Sequence, residues 1–132
     1  MKNLEIYCDG GARGNPGPAA SAFVVYENKK VVHKEGKYLG IATNNVAEYT
    51  AVIMALTWLT GSADVIFYLD SELVVKQLTG LFKIKNEKLR ELAIKVKTLE
   101  KNFTGEIVYK NLRREKNSVA DSLVNETLDM SI

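Results

Sequence analysis

The sequence predicts an α/β fold in which a five-stranded mixed sheet is flanked by helices. Three β-rich runs precede any helical pattern, later apolar runs alternate with amphipathic ones, and glycine or polar turn residues separate them. The first three strands form an antiparallel set. Two further strands join it in parallel through right-handed crossovers, because each follows a helical segment.

Leu4, Ile6 and Cys8 alternate with Glu5, Tyr7 and Asp9, the two-residue period of a strand, and Gly10-Gly11 stop the run. After the turn-rich GGARGNPGP come AASAFVVYE and VVHKEGKYLG, parted by Asn28-Lys29-Lys30 and read as an antiparallel hairpin. Residues 44–59 carry Tyr49, Val52, Ile53, Ala55, Leu56 and Leu59 at helical spacing, and Gly61 closes that helix. The run DVIFYL at 64–69 suits a central strand buried on both faces, and a short helix over 71–78 ends before Gly80. A surface helix over 86–101 places Leu89, Leu92, Ile94, Val96 and Leu99 among charges. The last strand is GEIVYKN, and a final helix begins at about Ser118. No repeat, linker or low-complexity tract interrupts this order.

With 132 residues, of which 46% are hydrophobic, residues 1–132 are expected to form one domain around one core. A net charge of +2 permits a polyanionic partner without requiring one. The lone cysteine, Cys8, lies in an apolar strand and reads as a core residue in a reducing compartment. The N-terminus has no long apolar signal region, and no apolar run approaches the roughly 20 residues needed to cross a bilayer. A soluble cytoplasmic protein, away from membranes, is expected.

Four acids stand in unusual places: Asp9 and Asp70 end apolar strands, while Glu48 and Asp121 lie on or beside helical apolar stripes. Each has a structural explanation. Asn45 with Glu48, and Ser118 with Asp121, match capping boxes. Asp70 can cap the next helix, and Asp9 can serve a turn. Against this, Glu48 shares its stripe with Val52, Ala55 and Leu59, and Asp121 borders Val124 and Leu128. Ligands of sheets with parallel strands gather at the strands' carboxyl ends, so parallel neighbours bearing Asp9 and Asp70 would bring those acids together. Four oxygen donors without a cysteine or histidine cluster suit hard cations such as Mg²⁺ or Mn²⁺ and not a usual zinc site.

The segments YCDGGARGNPG, TNNVAEYTAVIMAL, FYLDSELVVKQL and LRREKNSVADSL resemble, in order, the four acidic motifs of type 1 ribonuclease H. The resemblance spans nearly the whole chain. It implies the ribonuclease H-like fold with the first strand central. It implies Asp9, Glu48, Asp70 and Asp121 as catalytic ligands of two Mg²⁺ ions, with Mn²⁺ as the alternative. The implied reaction is endonucleolytic hydrolysis of the RNA strand of an RNA–DNA hybrid, leaving a 5′-phosphate and a 3′-hydroxyl. Gly10, Gly11 and Arg13 match sugar and backbone contacts, Asn15 and Thr43 a DNA phosphate site, Asn44 and Asn45 bases or sugar edges, and Ser71 the same substrate groove. Capping competes for Asn45, and GGARGNPGP also reads as an ordinary Gly/Pro turn. That loop lacks the Gly-Lys-Ser/Thr ending of a nucleotide P-loop. A monomer with no obligate protein partner is expected. The alternatives are a non-catalytic hybrid-binding domain or another nuclease of this fold. A proofreading-type exonuclease usually carries glutamate two residues after the first aspartate, where this chain has Gly11.

The chain departs from the pattern in two places. Many members carry a histidine in the loop before the last acid, where this chain reads LRREKNS, leaving Arg114 and Glu115 as candidates to influence product release. His33, the lone histidine, falls in the hairpin. The long basic protrusion of some relatives is replaced by LFKIKNEKL, whose Lys83, Lys85 and Lys88 are either phosphate contacts or a charged helix flank. Trp58 reads as packing.

Overall fold

Leu4, Ile6 and Cys8 turn to one side of strand β1 (Lys2–Ala12) and are buried there, while Glu5 and Tyr7 face the other side. The computed structural model describes residues 2–132. Strand β2 (Gly17–Glu27) pairs antiparallel with β1, and β3 (Lys30–Ala42) antiparallel with β2. Strands β4 (Ala63–Leu69) and β5 (Ile107–Asn111) add in parallel, so the sheet runs β3-β2-β1-β4-β5 with the first strand central, as expected.

Strand bounds moved where pairing outlasts the local sequence pattern. The β1 strand does not stop at Gly10-Gly11, because β2 keeps pairing with it through Ala12↔Ala19. The hairpin turn is Asn28-Lys29 alone, both at positive φ (53° and 64°), and Lys30 already pairs with Glu27. β5 begins at Ile107, two residues after a Gly105 held at φ 126°.

The helices are α1 (Asn44–Trp58), α2 (Glu72–Leu78), α3 (Glu87–Lys101) and α4 (Ser118–Ser131). Caps fell on neighbours of the expected residues. The Thr43 hydroxyl, not Asn45, accepts the Val46 amide, and the Ser71 hydroxyl, not Asp70, accepts the Val74 amide. On α4, Ser118 is already helical and Asn117 takes the cap position without a side-chain cap bond. In α3 the buried residues are Leu89, Ala93 and Val96, whereas Ile94 is 64% exposed because it lies one residue, about 100° of helical turn, off that stripe.

The main core fills the space between one sheet face and α1, α2 and α3, with Phe23, Tyr49, Val52, Phe67 and Leu69 fully enclosed. On the opposite face α4 lays Val124 and Leu128 over Ala20 and Ala22. Trp58 packs as expected, stacked at 4.7 Å on His33, and that imidazole also meets Glu35 at 3.1 Å.

The close approach that positions the site is between β1 and α1. A Cβ on Gly10 would lie 2.2 Å from the carbonyl carbon of Ala47 and 2.5 Å from the amide nitrogen of Glu48, so only glycine lets the helix seat there. Beside it the Ser21 hydroxyl, fully buried on β2, donates to the Ala47 carbonyl at 2.6 Å. Gly10→Ala is expected to cost about 3 kcal/mol and to lower Tm by roughly 10 °C in thermal melts followed by circular dichroism; an unchanged Tm would contradict this contact.

Candidate active site

The parallel pairing of β1 with β4 ends at Cys8↔Leu69, which leaves Asp9 and Asp70 as the next residues at the same end of adjacent strands. This is the carboxyl end of the parallel pair. The seating of α1 at Gly10 then brings in Glu48, whose Oε1 accepts the Gly10 amide at 3.2 Å. Asp9, Glu48 and Asp70 each offer a carboxylate oxygen within 4.8 Å of the other two. Asp121, on the first turn of α4, lines the same cavity of about 460 Å³ but is not a member of that tight group.

Burial dominates the electrostatics. It pushes the Asp9 carboxyl up to about 7, helped by repulsion from Asp70 and, less strongly, Asp121, while hydrogen bonding with Glu48 and then with the Gly10 amide pulls the other way. Burial likewise holds the Glu48 carboxyl well above its ordinary range, with Asp9 and then Asp70 adding to it. No salt bridge among the described residues neutralises the four acids. The second Glu48 oxygen, Oε2, is buried with no hydrogen-bond partner. Compensating positive charge is what this cluster lacks, and Arg114, on a short 3₁₀ turn, is a cationic residue lining the cavity.

Gly10, Gly11, Arg13, Asn44, Asn45 and Ser71 also line that cavity. Asn44 organises the rim: its Oδ1 accepts the Ala12 amide at 2.8 Å, and its own amide donates to Asn15 Oδ1 at 2.9 Å. Asn15 and Thr43 lie outside the lining and shape it from behind, Asn15 through Asn44 and Thr43 by capping α1. Arg13 is paired with Asp129 of α4 at 2.6 Å. Of the loop residues before α4, Arg114 faces the cavity and Glu115 is not among its lining residues. His33 lies on β3, and Lys83, Lys85 and Lys88 are likewise absent from the lining.

Two asparagines escaped the sequence reading. Asn125 lines the cavity and donates from Nδ2 to the Asp121 carbonyl, and its place one turn after that acid was the available signal. Asn117 is 1% exposed and donates from Nδ2 to both the Cys8 carbonyl and Asp70 Oδ2. Its only sequence signal was a helix-start position, which Ser118 appeared to fill. A larger cavity, about 630 Å³, opens near the amino ends of β1 and β4 between Glu5, Asp64, Val65 and Lys110, and no metal-binding cluster of the described residues lies in it.

Comparison with known proteins agrees with this geometry. The reverse transcriptase-like family model matches residues 7–127. A bifunctional protein of Mycobacterium tuberculosis is 38% identical over 128 residues, covering 94% of this chain and 35% of its own length, so the chain spans about a third of that relative. The ribonuclease H of Chromohalobacter salexigens is 34% identical over 145 residues, covering 98% of this chain and 86% of its own. The crystal structure of LC11-RNase H1, solved in complex with an RNA/DNA hybrid, superposes with a TM-score of 0.91 at 40% identity, covering 97% of this chain and 98% of that one. Four acidic motifs in order, a mixed sheet with β1 at its centre and relatives matched across nearly the whole chain agree: this chain belongs to the type 1 ribonuclease H family.

Proposed function

We propose that the chain is a metal-dependent endonuclease that hydrolyses the RNA strand of RNA–DNA hybrids, leaving 5′-phosphate and 3′-hydroxyl ends. The observation that carries the reading is the trio of Asp9 and Asp70, at the carboxyl ends of β1 and β4, with Glu48 of α1; Asp9 and Glu48 are buried, Asp70 is half-buried, and Asp121 lines the same cavity. The residues fit a divalent ion by their own chemistry. The donor set is all oxygen, its charge is unneutralised by any salt bridge of the described residues, and Glu48 Oε2 is a buried acceptor without a partner. In this reading the four acids hold two Mg²⁺ or Mn²⁺ ions. When bound, such ions supply Lewis-acid stabilisation of phosphoryl charge and lower the pKa of an attacking water.

The chain's own residues bind and orient. Gly10 and Gly11 let a nucleic-acid backbone approach the cavity floor, while Arg13, Asn44, Asn45 and Ser71 offer polar groups around it. Contacts of this kind to the 2′-hydroxyl across a wide minor groove distinguish RNA from DNA. Asn15 and Thr43, beside this rim, are assigned to a phosphate of the DNA strand. Arg114 brings a permanent positive charge to the cavity, where the family's histidine is missing. Arginine stays protonated at all working pH, so its part is to attract and release phosphate and not to shuttle a proton. Residues 1–132 act in this reading as one ribonuclease H unit, as a cytoplasmic monomer without an obligate partner. Cys8, buried and unpaired, supports a reducing compartment, and no helix of the described residues is long and apolar enough to cross a membrane.

Labelled hybrid, duplex DNA and duplex RNA, each with blocked ends, are expected to show internal cutting of the hybrid's RNA strand alone in Mg²⁺ or Mn²⁺. Hybrid binding in Ca²⁺ without cutting in either metal would make the chain a binding domain instead. Asp70→Asn keeps the fold and is expected to reduce turnover by a factor on the order of 10³ or more, measured against circular dichroism of the same sample. The raised Asp9 carboxyl gives a third test. Its folded value near 7 exceeds its ordinary value near 4, so the neutral acid is favoured by folding. That contribution is full below about pH 4 and is lost as pH rises through about 7. In EDTA, Tm is therefore expected to fall over this range in the wild type and less in Asp9→Asn, and Mg²⁺ is expected to restore it at pH 8 in the wild type only. Equal slopes for the two proteins would contradict the assignment.

A further inference from the structure

Asn117 occupies the junction between the 3₁₀ turn at Arg114–Lys116 and α4, and it reaches the elements of three acids at once. Its Nδ2 donates to the Cys8 carbonyl at 2.9 Å, on the residue just before Asp9. The same nitrogen donates to Asp70 Oδ2 at 3.1 Å. Its backbone carbonyl accepts the amide of Asp121 at 3.0 Å, the bond that starts α4. Both side-chain partners are pure acceptors, so the orientation of the amide is fixed by chemistry: the NH₂ end must point at them. The residue is 1% exposed, so its bond to the Cys8 carbonyl is shielded from competing water, while the bond to the half-buried Asp70 is shielded in part.

We propose that Asn117 is a positioning residue that locks the Asp70 carboxylate and the start of α4 against the end of β1, and so sets the acid cluster for metal binding. The inference rests on the metal-dependent reading above and extends it to a residue that contributes no carboxylate. An unrestrained aspartate exchanges among staggered χ1 rotamers with a broad χ2, and holding one oxygen restricts where the other can point. Groups that orient metal ligands in this way commonly change metal affinity or activity by about 10- to 100-fold when removed. Asn117 differs from an ordinary helix cap in that its side chain bonds no amide of α4 at all. Its Nδ2 is directed at the acids' strands instead, and its Oδ1 is buried without a hydrogen-bond partner.

The test separates a donor from a space-filler. Asn117→Ala removes the amide and its volume, whereas Asn117→Leu keeps a similar volume and removes only the hydrogen bonds. Mn²⁺ affinity, read by calorimetry without substrate, is expected to fall about 10- to 100-fold in both variants, and kcat on hybrid is expected to fall while KM holds. A Leu variant that binds Mn²⁺ as the wild type does would make Asn117 a packing residue and overturn the proposal. Should either variant fail to fold, the wild type still decides: the Asn117 side-chain amide signals in nitrogen-15 spectra are expected to exchange slowly and to shift as Mg²⁺ is titrated, and fast-exchanging signals blind to Mg²⁺ would overturn it. A wild type that binds Mn²⁺ and cuts no hybrid would defeat the nuclease reading while leaving the Asn117 comparison decisive; a wild type without Mn²⁺ affinity would overturn both.

Discussion

The seating of α1 on β1 is the contact on which the remaining geometry hangs. Gly10 has no side chain to hold the helix off, and the buried Ser21 hydroxyl grips the Ala47 carbonyl from the neighbouring strand. With the helix at that depth, Glu48 follows Ala47 directly onto the carboxyl end of β1 and meets the Gly10 amide. At this depth a Glu48 oxygen lies within 4.8 Å of oxygens on both Asp9 and Asp70. The same contact buries Tyr49, Val52 and Ala55 against the sheet, so the apolar packing of the fold and the placement of an acid are a single event.

That arrangement is costly by itself. Carboxylates removed from water and set beside one another are destabilised as ions, which is why Asp9 and Glu48 are both held above their ordinary titration ranges. Core packing of Phe23, Phe67, Leu69 and their neighbours directly beneath offsets the penalty and keeps the acids from separating. A rigid apolar floor under a strained polar cluster is a general way to store binding capacity, since any suitable cation relieves a repulsion that already exists.

How much the sequence revealed depended on the reach of each interaction. The stripe from Tyr49 to Leu56 reports its own burial and the run DVIFYL its own strand, so β4 and α1 were legible nearly to their ends. β4, expected to be buried on both faces, buries only one, because Val65, Phe67 and Leu69 are enclosed while Ile66 and Tyr68 are half-exposed on the face that α4 does not cover. Glu48 was legible because its helical phase set it among apolar residues. The capping alternatives weighed for Asn45 and Asp70 lay one or two positions off, the caps being Thr43 and Ser71, because adjacent residues all carried suitable oxygens and the choice lies in which backbone leaves the helix first. The extension of β1 past Asp9 was hidden for another reason: two glycines look like a stop until a partner strand pairs with them. Asn117 was beyond reach, since its bond to Cys8 joins residues 109 positions apart and leaves no periodic trace.

The acid cavity draws on both ends of the chain, from β1 at the start to α4 at the finish. During synthesis β1 is made before α4, so Asp121 joins the other three acids only once α4 has docked on β2. For the same reason a cut in the connection between β5 and α4 would part Asp121 from Asp9, Glu48 and Asp70, and neither piece would carry all four acids.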